Sequence, residues 1–560
     1  MIERYIDRTE FASYEDFMQN YKVHVPEHFN FGYDIVDEWA RVQPEKIALI
    51  WTNTDGDEKK VTYRELKAKS DKVASFFLQL GIKKGDRVMT VLKKRLEWWY
   101  TIIALHKIGA VVIPASYQLT GHDLAYRRDA AGVQAIITCE DPLIMSHVDN
   151  ACDAATDDIN TYKICAFQDG HVREGWIDFW QGVNEAPEFQ RPEWEISNED
   201  SMLMYFTSGT EGMPKMVVHD FKYPLCHIVT GRYWLNHNEN SIHLTMTDTG
   251  WAMAIWGLLY PQMLCGATIV IYDQEGRFEP TQLLEVLERY HVTSTFAPPT
   301  VYRFLVHEDM SKYDLSALHY SCVAGEALYP ALFNKWHELT GIWLKECFGQ
   351  TETPIAVGTY VWNESRPGSM GLPGPQVHMD VVDDNGVTCP PMKHGHLVVH
   401  FDEGCKRPLG LLKEYFRNDK LTAKKLGGSY YDTGDMVYRD AEGYYWYVSR
   451  ADDVIKSSGY RIGPFEVESV LVKHPAVSEC AITGVPDDIR GQLVKATIVL
   501  TPDYAGKASD ALVKDIQNYV KENTAPYKYP RVVEFVSELP KTATGKIRRC
   551  EIRNHDLHKK

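Results

Sequence analysis

The chain has 560 residues, of which 44% are hydrophobic and 12% aromatic, and it carries a formal charge of −17 at pH 7. A chain of this length exceeds what one hydrophobic core can organise, so two or more domains are expected. The acidic balance argues against nonspecific binding to nucleic acid or anionic membranes, and no apolar run approaches the roughly 20 residues that span a bilayer.

The termini and the cysteines bear on the compartment. Residues 1–8 include acidic side chains and no apolar segment, so no signal peptide is evident, and His558-Lys-Lys is not a peroxisomal address. The eleven cysteines are scattered, with no C-x-x-C or zinc-finger spacing. This usage favours reduced thiols in a reducing compartment. We therefore expect a cytoplasmic protein, either a monomer or a homodimer.

The N-terminal third alternates helix and strand patterns. Thr62 and Glu65 form a capping box, apolar residues follow at helical spacing, and Gly81 ends the predicted helix. The same reasoning predicts a helix at 97–108, closed by Gly109, and strands at 87–92, 111–114, 135–138 and 267–272. Such alternation is typical of βαβ units around a mostly parallel sheet.

A predicted buried strand at 202–206 opens into the loop Tyr205-Phe-Thr-Ser-Gly-Thr-Glu-Gly-Met-Pro-Lys215. Glycines let backbone N–H groups approach an anion closely, hydroxyls add donors, and Lys215 adds a charge. The loop is not a Walker motif, because Pro214 precedes the lysine and Met216 follows it. The pattern predicts a cradle for nucleotide phosphates, with a flexible surface loop as the alternative.

The residue pattern of the chain changes twice after this loop. From Gly368, short strands are punctuated by Gly, Pro and Asp, which indicates a small antiparallel sheet or barrel. A second boundary falls near 449–453. Beyond it we predict strands at 479–483, 495–500 and 532–536 and a helix at 512–520, which together indicate a compact α+β module.

Four further segments carry candidate chemistry. They are Glu346-Cys-Phe-Gly-Gln-Thr-Glu-Thr353, Tyr431-Asp-Thr-Gly-Asp435, Arg450-Ala-Asp-Asp-Val-Ile-Lys-Ser-Ser-Gly-Tyr-Arg461 and Pro540-Lys-Thr-Ala-Thr-Gly-Lys546. Each has a plain alternative: a turn for Asp435, surface salt bridges for Arg450 and Arg461, and a solvated tail for Lys546. Taken singly, these alternatives are favoured.

In this order and spacing the motifs resemble the AMP-forming acyl-CoA synthetases of the adenylate-forming superfamily. The resemblance covers about 31–553 and is closest to the medium-chain branch, through Tyr205-Phe-Thr-Ser-Gly-Thr, Ser458-Gly-Tyr-Arg-Ile-Gly-Pro-Phe-Glu-Val-Glu468 and Ala525-Pro-Tyr-Lys-Tyr-Pro-Arg531. It implies an α/β fold: a large N-terminal domain, 1–450, of layered βαβ subdomains plus a small β-barrel-like subdomain. A small mobile α+β domain, 451–560, follows a hinge at Asp452.

The resemblance also implies a role for each matching residue. Lys546, Thr351 and Arg461 would be catalytic, and Glu352 would ligate Mg²⁺. The residues that would contact ATP are Thr207, Ser208, Gly209, Thr210, Glu211, Gly212, Lys215, Gly325, Glu326, Glu346, Cys347, Phe348, Gly349, Gln350, Thr351, Asp435, Arg450, Arg461 and Lys546. Those that would bind coenzyme A are Ser458, Gly459, Tyr460, Arg490 and Lys521.

Four positions depart from the usual family pattern: Glu211, Met216, Phe348 and Ser449. Glu211 matters most, because it adds a negative charge beside a phosphate cradle. Met216 is less unusual, since the medium-chain branch often carries methionine there.

The implied reaction has two halves. A carboxylate attacks the α-phosphorus of ATP and pyrophosphate leaves, and then the thiol of coenzyme A attacks the acyl-adenylate and AMP leaves. The first step brings two anions together, so positioning and charge neutralisation dominate its catalysis. An adenylation enzyme that loads a carrier protein and a non-catalytic nucleotide-binding protein are the alternatives.

The acyl pocket is implied to include Gly349 and Trp251, with Trp256 close by. Two-carbon-specific members of the family carry tryptophan at the position of Gly349, so glycine there is expected to leave space for acids larger than acetate. The two tryptophans are equally well explained as core aromatics. We expect a preference among short-to-medium, branched or small aromatic acids, because an apolar pocket discriminates by only about 1–3 kcal/mol per methylene.

Overall fold

The fold is taken from a computed structural model of the chain. It describes residues 1–155, 159–168, 170–207, 213–326, 328–402, 406–457, 460–487, 490–541 and 546–558. Of the helices in these ranges, none is both long and apolar enough to cross a membrane. The ten cysteines within them are free thiols.

The strands run the length of the chain. In order they are β1 (Ile47–Asn53), β2 (Glu58–Thr62), β3 (Arg87–Val91), β4 (Val111–Pro114), β5 (Ala135–Cys139), β6 (Tyr162–Ala166), β7 (Ile177–Asp178), β8 (Ser201–Thr207), β9 (Lys215–Asp220), β10 (Ile242–Thr245), β11 (Thr268–Asp273), β12 (Ser294–Ala297), β13 (Tyr320–Val323), β14 (Leu344–Phe348), β15 (Val357–Gly358), β16 (Ser369–Pro373), β17 (His378–Val382), β18 (Gly395–His400), β19 (Glu414–Tyr415), β20 (Tyr430–Arg439), β21 (Tyr445–Arg450), β22 (Ile455–Ser457), β23 (Tyr460–Ile462), β24 (Val477–Asp487), β25 (Gly491–Leu500) and β26 (Val532–Val536).

The α-helices alternate with these strands. They are α1 (Tyr14–Asn20), α2 (Glu38–Val42), α3 (Tyr63–Gln79), α4 (Glu97–Ile108), α5 (Gly121–Ala131), α6 (Pro142–Asp153), α7 (Phe179–Glu185), α8 (Tyr223–Ile228), α9 (Ala252–Leu258), α10 (Tyr260–Cys265), α11 (Pro280–Arg289), α12 (Pro299–Leu305), α13 (Pro330–Thr340), α14 (Asp419–Leu426), α15 (Pro464–Leu471), α16 (Asp510–Asn523) and α17 (Arg549–His558). Two π-helical segments lie at Gly32–Asp37 and Val229–Trp234, and short 3₁₀ helices at Ile2–Arg4, Met310–Lys312, Pro502–Tyr504 and Pro526–Lys528.

Local signals in the sequence account for the predicted elements. Thr62 and Glu65 make the predicted capping box at the start of α3. Gly109 closes α4 with a φ of 76°, in the left-handed region that glycine enters without strain. Helix α4 is buried along its whole length, which fits its nearly continuous apolar sequence. The strands predicted at 111–114 and 532–536 also have the expected bounds.

Two large sheets organise the described part of residues 1–450. One has the order β17-β18-β20-β21-β16-β15-β14-β13-β12-β10-β11-β1-β2, and the other β19-β9-β8-β4-β3-β5-β6-β7. Strands β14, β13, β12, β10, β11 and β1 pair in parallel. The largest cluster of buried side chains draws on both sheets, so they share one core.

The antiparallel strands predicted beyond Gly368 are present, with one difference from a separate barrel. Strand β15 pairs with both β14 and β16, so the antiparallel strands continue the parallel sheet by hydrogen bonds. This link depends on a two-residue strand, Val357–Gly358, which is too short to give a period in the sequence.

Residues beyond the predicted boundary form a third sheet with its own core. Its order is β23-β22-β25-β24, with β26 parallel to β25. The buried residues of this module include Ile455, Val467, Ile482 and Ile516. A separate core is what a separately moving domain requires, and the division at 450 and 451 stays a prediction.

Candidate active site

The parallel strands bring predicted site residues to one edge of the large sheet. Gly325 and Glu326 follow β13, and Gly349 to Glu352 follow β14. Trp251 lies in the connection between β10 and α9. Ligands of open α/β sheets bind at the carboxyl ends of parallel strands, so this edge is the candidate site.

Asp435 is the most enclosed carboxylate of the site, with 3% of its surface exposed. Gln350 Nε2 donates to Asp435 Oδ2 at 2.7 Å, and Arg450 Nη1 lies 3.1 Å from the same oxygen. Tyr431 holds Gln350 in turn, because its hydroxyl donates to Gln350 Oε1 at 3.1 Å. Burial raises the pKa of Asp435 to about 6, although the positive charge of Arg450 lowers it. The network therefore presents a fixed hydrogen-bond acceptor.

Glu352 lies beside the predicted phosphate loop. The hydroxyl of Tyr415 donates to Glu352 Oε1 at 3.2 Å. Burial raises the pKa of Glu352, while Tyr415 and the charges of Lys215 and Arg450 lower it. These are the surroundings of a carboxylate that a cation would stabilise.

Thr207 and Lys215 face each other as paired residues of β8 and β9, so the loop between them joins two antiparallel strands. Ser208, Gly209, Thr210, Glu211 and Gly212 lie outside the described residues. The question that Glu211 raises about the cradle therefore stays open. Met216 is half-buried in β9 and packs against the core that contains β8.

Lys546 is far from these residues in the sequence but interacts with them in the fold. Burial raises the pKa of Glu326 and of Asp435, and the positive charge of Lys546 partly opposes this rise in both carboxyl groups. The Lys546 side chain keeps an exposed surface, but many protein atoms surround it. This loss of solvent lowers the pKa of its ammonium group, while the negative charges of Glu326 and Asp435 raise that pKa. The C-terminal module thus contributes a cation to the cleft of residues 1–450.

The resemblance implies that Gly325, Glu326 and Phe348 border the adenine, and Glu346 is a further predicted ATP contact. Gly325 has a φ of 94° and no atom within 4 Å of where a Cβ would lie, so the chain there is open to a planar ligand. Glu326 accepts from Thr300 Oγ1 and Arg303 Nη2 at about 3.3 Å. Glu346 is 7% exposed, and its Oε2 has no hydrogen-bond partner among the described residues. Burial raises the pKa of Glu346 to about 8.

The state of Glu346 predicts a pH dependence. Below pH 8 the neutral carboxyl can accept a hydrogen bond without placing a charge in the cleft. Above pH 8 it ionises, and the KM for ATP is expected to rise, because bound ATP buries the group further and adds negative phosphates. Glu346→Gln, which stays neutral, is expected to flatten the rise between pH 7 and 9.5. An equal rise in both enzymes would contradict this role.

The structure corrects the expectation for Gly349. A Cβ on this residue would lie 2.3 Å from the Trp256 ring and 2.7 Å from the carbonyl oxygen of Pro354. Glycine therefore does not leave open space, because the indole of Trp256 occupies it. Trp256 is 6% exposed, and its Nε1 donates to the Tyr223 hydroxyl at 3.1 Å. Trp256 closes this side of the site, and Trp251 is half-buried at the start of α9.

Sequence reasoning missed His219. Its Nε2 donates to the carbonyl oxygen of Thr351 at 2.7 Å, and its ring stacks on Tyr223 at 3.9 Å. Burial lowers the pKa of His219 to about 4, so the ring is neutral near pH 7. His219 thus fixes the backbone of the segment that carries Thr351 and Glu352. A polar residue ending the apolar run Val217-Val218 is the signal that was available.

The predicted coenzyme A residues are brought partly together. Tyr460 is 49% exposed and stacks on Tyr527 at 4.0 Å. Ser457 pairs with Gly491, the residue that follows Arg490. Lys521 contacts the ring of Tyr529, in the segment that contains Tyr527. Ser458 and Gly459, together with the side chain of Arg461, lie outside the described residues.

The predicted hinge lies in a turn between β21 and β22. Asp452 is exposed there, and its Oδ1 lies 3.8 Å from Arg450 Nε. The backbone N–H of Ala451 donates to Gly434 at 2.9 Å, and that of Asp453 donates to Arg450 at 3.1 Å. Asp452 is thus the first residue after the sheet that faces solvent, which suits a position that changes conformation.

Comparisons with known families and curated proteins give consistent matches. Residues 36–405 match the AMP-binding enzyme family, and residues 466–546 match the AMP-binding enzyme C-terminal domain. The chain is 39% identical over 553 residues to the mitochondrial acyl-coenzyme A synthetase ACSM3 of Mus musculus, covering 98% of this chain and 94% of that protein. It is 40% identical to the mitochondrial ACSM5 of Rattus norvegicus, over 95% of this chain and 91% of that protein.

Two solved structures are also similar. One is the anthranilate CoA ligase AuaEII in complex with anthranoyl-AMP, with a TM-score of 0.84 and 29% identity, covering 96% of this chain and 98% of that one. The other is an acyl-CoA synthetase of Brucella canis, with a TM-score of 0.74 and 28% identity, covering 98% and 99%.

Proposed function

The chain belongs to the AMP-binding enzyme family and is an AMP-forming acyl-CoA synthetase, and we propose that the acid it activates is larger than acetate: short-to-medium, branched or small aromatic. The enzyme joins a carboxylic acid to ATP, giving an acyl-adenylate and pyrophosphate, and then transfers the acyl group to coenzyme A with release of AMP.

The observation that carries the site assignment is that the positive charge of Lys546 acts on the carboxyl groups of Glu326 and Asp435. A lysine from the C-terminal module reaches the strand ends where the resemblance expects ATP. In adenylation a carboxylate meets a polyanionic phosphate chain, so a cation held between them lowers the barrier. The attacking carboxylate is already ionised near pH 7, so no general base is needed.

The remaining residues of the first half-reaction have complementary roles in this proposal. Asp435, fixed by Gln350 and Arg450, accepts hydrogen bonds from the ribose hydroxyls. The loop from Thr207 to Lys215 holds the β- and γ-phosphates, and Thr351 and Arg461 hold the α-phosphate. His219 positions Thr351 through its carbonyl. Gly325, Glu326, Glu346 and Phe348 surround the adenine.

Glu352 is the residue that would hold Mg²⁺. The described residues contain no cluster of three or more His, Cys, Asp or Glu side chains that could hold a metal. A single carboxylate fits Mg²⁺, which keeps several waters and is held mainly by the phosphates of its nucleotide. The ion would supply positive charge to the phosphate oxygens, and Tyr415 orients the carboxylate toward it.

The second half-reaction uses the C-terminal module, 451–560, after rotation about Asp452. Tyr460, Arg490 and Lys521 belong to this module, and Ser458 and Gly459 directly precede Tyr460 in the sequence. The proposal is supported by the exposure of Tyr460, which is available to a ligand. Hinge motion of a lid domain between two working orientations is a common device in enzymes that catalyse two steps.

The acid class follows from the apolar lining rather than from Gly349. Trp256, wedged against Gly349, sets the depth of the acyl pocket, and Trp251 borders its entrance. AuaEII is an anthranilate CoA ligase, and its similarity to this chain supports the inclusion of small aromatic acids.

The compartment and the assembly are part of the proposal. The free cysteines fit a reducing compartment, and we propose the cytoplasm, although the curated relatives are named as mitochondrial. Cell fractionation with an antibody to the chain tests the compartment, and light scattering distinguishes monomer from homodimer.

A pyrophosphate-release assay tests the acid class. Acetate, butyrate, 2-methylbutyrate, octanoate and benzoate are each supplied with ATP and Mg²⁺, with and without coenzyme A. We expect single-turnover release without coenzyme A, sustained release with it, and a higher kcat/KM for acids larger than acetate. The highest kcat/KM with acetate would overturn the acid class, and release that coenzyme A does not sustain would favour a carrier-protein acceptor.

A further inference from the structure

An aromatic contact joins the C-terminal module to the rest of the enzyme. Phe465, in α15, stacks on Tyr329 with ring centroids 5.3 Å apart and an interplanar angle of 16°. Its ring also meets Tyr447, in β21, edge to face at 6.0 Å. These are the ring contacts that cross residue 450 among the described residues.

The residues on each side of this contact lie close in the sequence to residues of the candidate active site. On the N-terminal side, Tyr329 lies three residues after Glu326, whose carboxyl group senses the charge of Lys546. Tyr447 lies three residues before Arg450, which holds Asp435. The contact is therefore formed by the segments that build the adenine and ribose sides of the cleft.

On the C-terminal side, an ion pair links α15 to the segment that carries Lys546. Arg549, at the start of α17, donates two hydrogen bonds to the carboxylate of Glu468 in α15, at 2.7 and 2.8 Å. Glu468 is 1% exposed. Both hydrogen bonds come from Nη2, and a charge-assisted pair in a buried setting holds the two helices relative to each other. Because Arg549 lies three residues after Lys546, fixing α15 also fixes where Lys546 can reach.

We propose that Phe465 is a positioning residue for adenylate formation. Its insertion between Tyr329 and Tyr447 favours the domain orientation in which Lys546 enters the cleft. The contact is lost when the module rotates, so it stabilises one working orientation and not the other. The inference rests on the proposed role of Lys546 in the first half-reaction.

Phe465→Ala tests the proposal through the two half-reactions measured separately. An aromatic pair contributes about 0.5–1.5 kcal/mol beyond its buried area, so the rate of pyrophosphate release is expected to fall about 2- to 13-fold. Thioester formation from supplied acyl-adenylate and coenzyme A is expected to change by less than about twofold. Phe465→Tyr is expected to retain the wild-type ratio of the two rates.

Two further variants separate positioning from a general loss of structure. Tyr329→Ala removes the partner on the other domain and is expected to give the same bias. The double variant is expected to be little slower than either single one, because the two rings share one interaction. Tyr519→Ala removes a ring that meets His474 at 5.0 Å within the C-terminal module, and it is expected to leave the ratio of the two rates unchanged.

The outcomes distinguish this inference from the function it rests on. A wild-type enzyme that releases no pyrophosphate with any acid would overturn the proposed function itself. An active wild type, with Phe465→Ala slowing both half-reactions equally, would overturn the positioning role alone. The same holds if Tyr519→Ala shifts the ratio as strongly as Phe465→Ala.

Discussion

Replacing Lys546 by alanine is expected to slow acyl-adenylate formation by about 10²- to 10³-fold, which corresponds to about 3–4 kcal/mol of transition-state stabilisation. The physical reason is that the ammonium group enters a cleft already lined by Glu326 and Asp435 and there faces the charge that develops on the phosphate. Thioester formation is expected to persist. The measurement is pyrophosphate release in one assay and acyl-CoA production from synthetic acyl-adenylate in the other.

A matched control lies in the same segment. Lys541 pairs with Glu479 at 2.8 Å on the C-terminal module, so an acidic partner offsets its charge, although that charge also acts on Glu326. Lys541→Ala removes an equal charge and is expected to keep both half-reactions close to wild type, since partly exposed ion pairs contribute little. Equal loss of the two half-reactions in Lys546→Ala would contradict an orientation in which this lysine serves only adenylation.

The sequence predicted those parts of the fold that depend on neighbouring residues. The capping box at Thr62, the left-handed glycine at 109 and the apolar spacing along α3 act within a few turns of helix, so they can be predicted from the sequence. The continuation of the large sheet through β15 could not be predicted from the sequence. A two-residue strand is defined by partners on both sides, and those partners are fixed by packing.

The residues of the candidate site show the same difference between features set by neighbouring residues and features set by packing. Asp435 and Lys546 stand in short motifs whose order identified the family; the charge of Lys546 acts on Asp435 in the fold, and the roles of both residues stay predictions. The two residues that sequence reasoning misjudged act through the fold instead. His219 reaches Thr351 across neighbouring segments. Trp256 fills the space beside Gly349 although the two are distant in the chain. Spacing alone gives no information about such contacts.

The correction at Gly349 leads to the second large effect. Trp256→Ala is expected to raise kcat/KM for octanoate relative to butyrate by at least about tenfold, because removing the indole extends the pocket by several methylenes, each of which contributes about 1–3 kcal/mol in an apolar site. Absolute activity with butyrate is expected to fall, since a buried tryptophan truncated to alanine costs about 3–5 kcal/mol of stability. The measurement is pyrophosphate release across a homologous series of straight-chain acids.

Two variants show whether the Trp256 indole itself limits the length of the acyl chain that the pocket accepts. Tyr223→Phe removes the hydroxyl that accepts from Trp256 Nε1 but keeps the ring in place, so the order of preference among acids is expected to stay the same. Gly349→Ala is expected to lower activity with every acid, because its Cβ would collide with the Trp256 ring and with the Pro354 carbonyl. If Trp256→Ala lowered activity with all acids by the same factor, the pocket would end elsewhere, and Trp256 would be only a core residue.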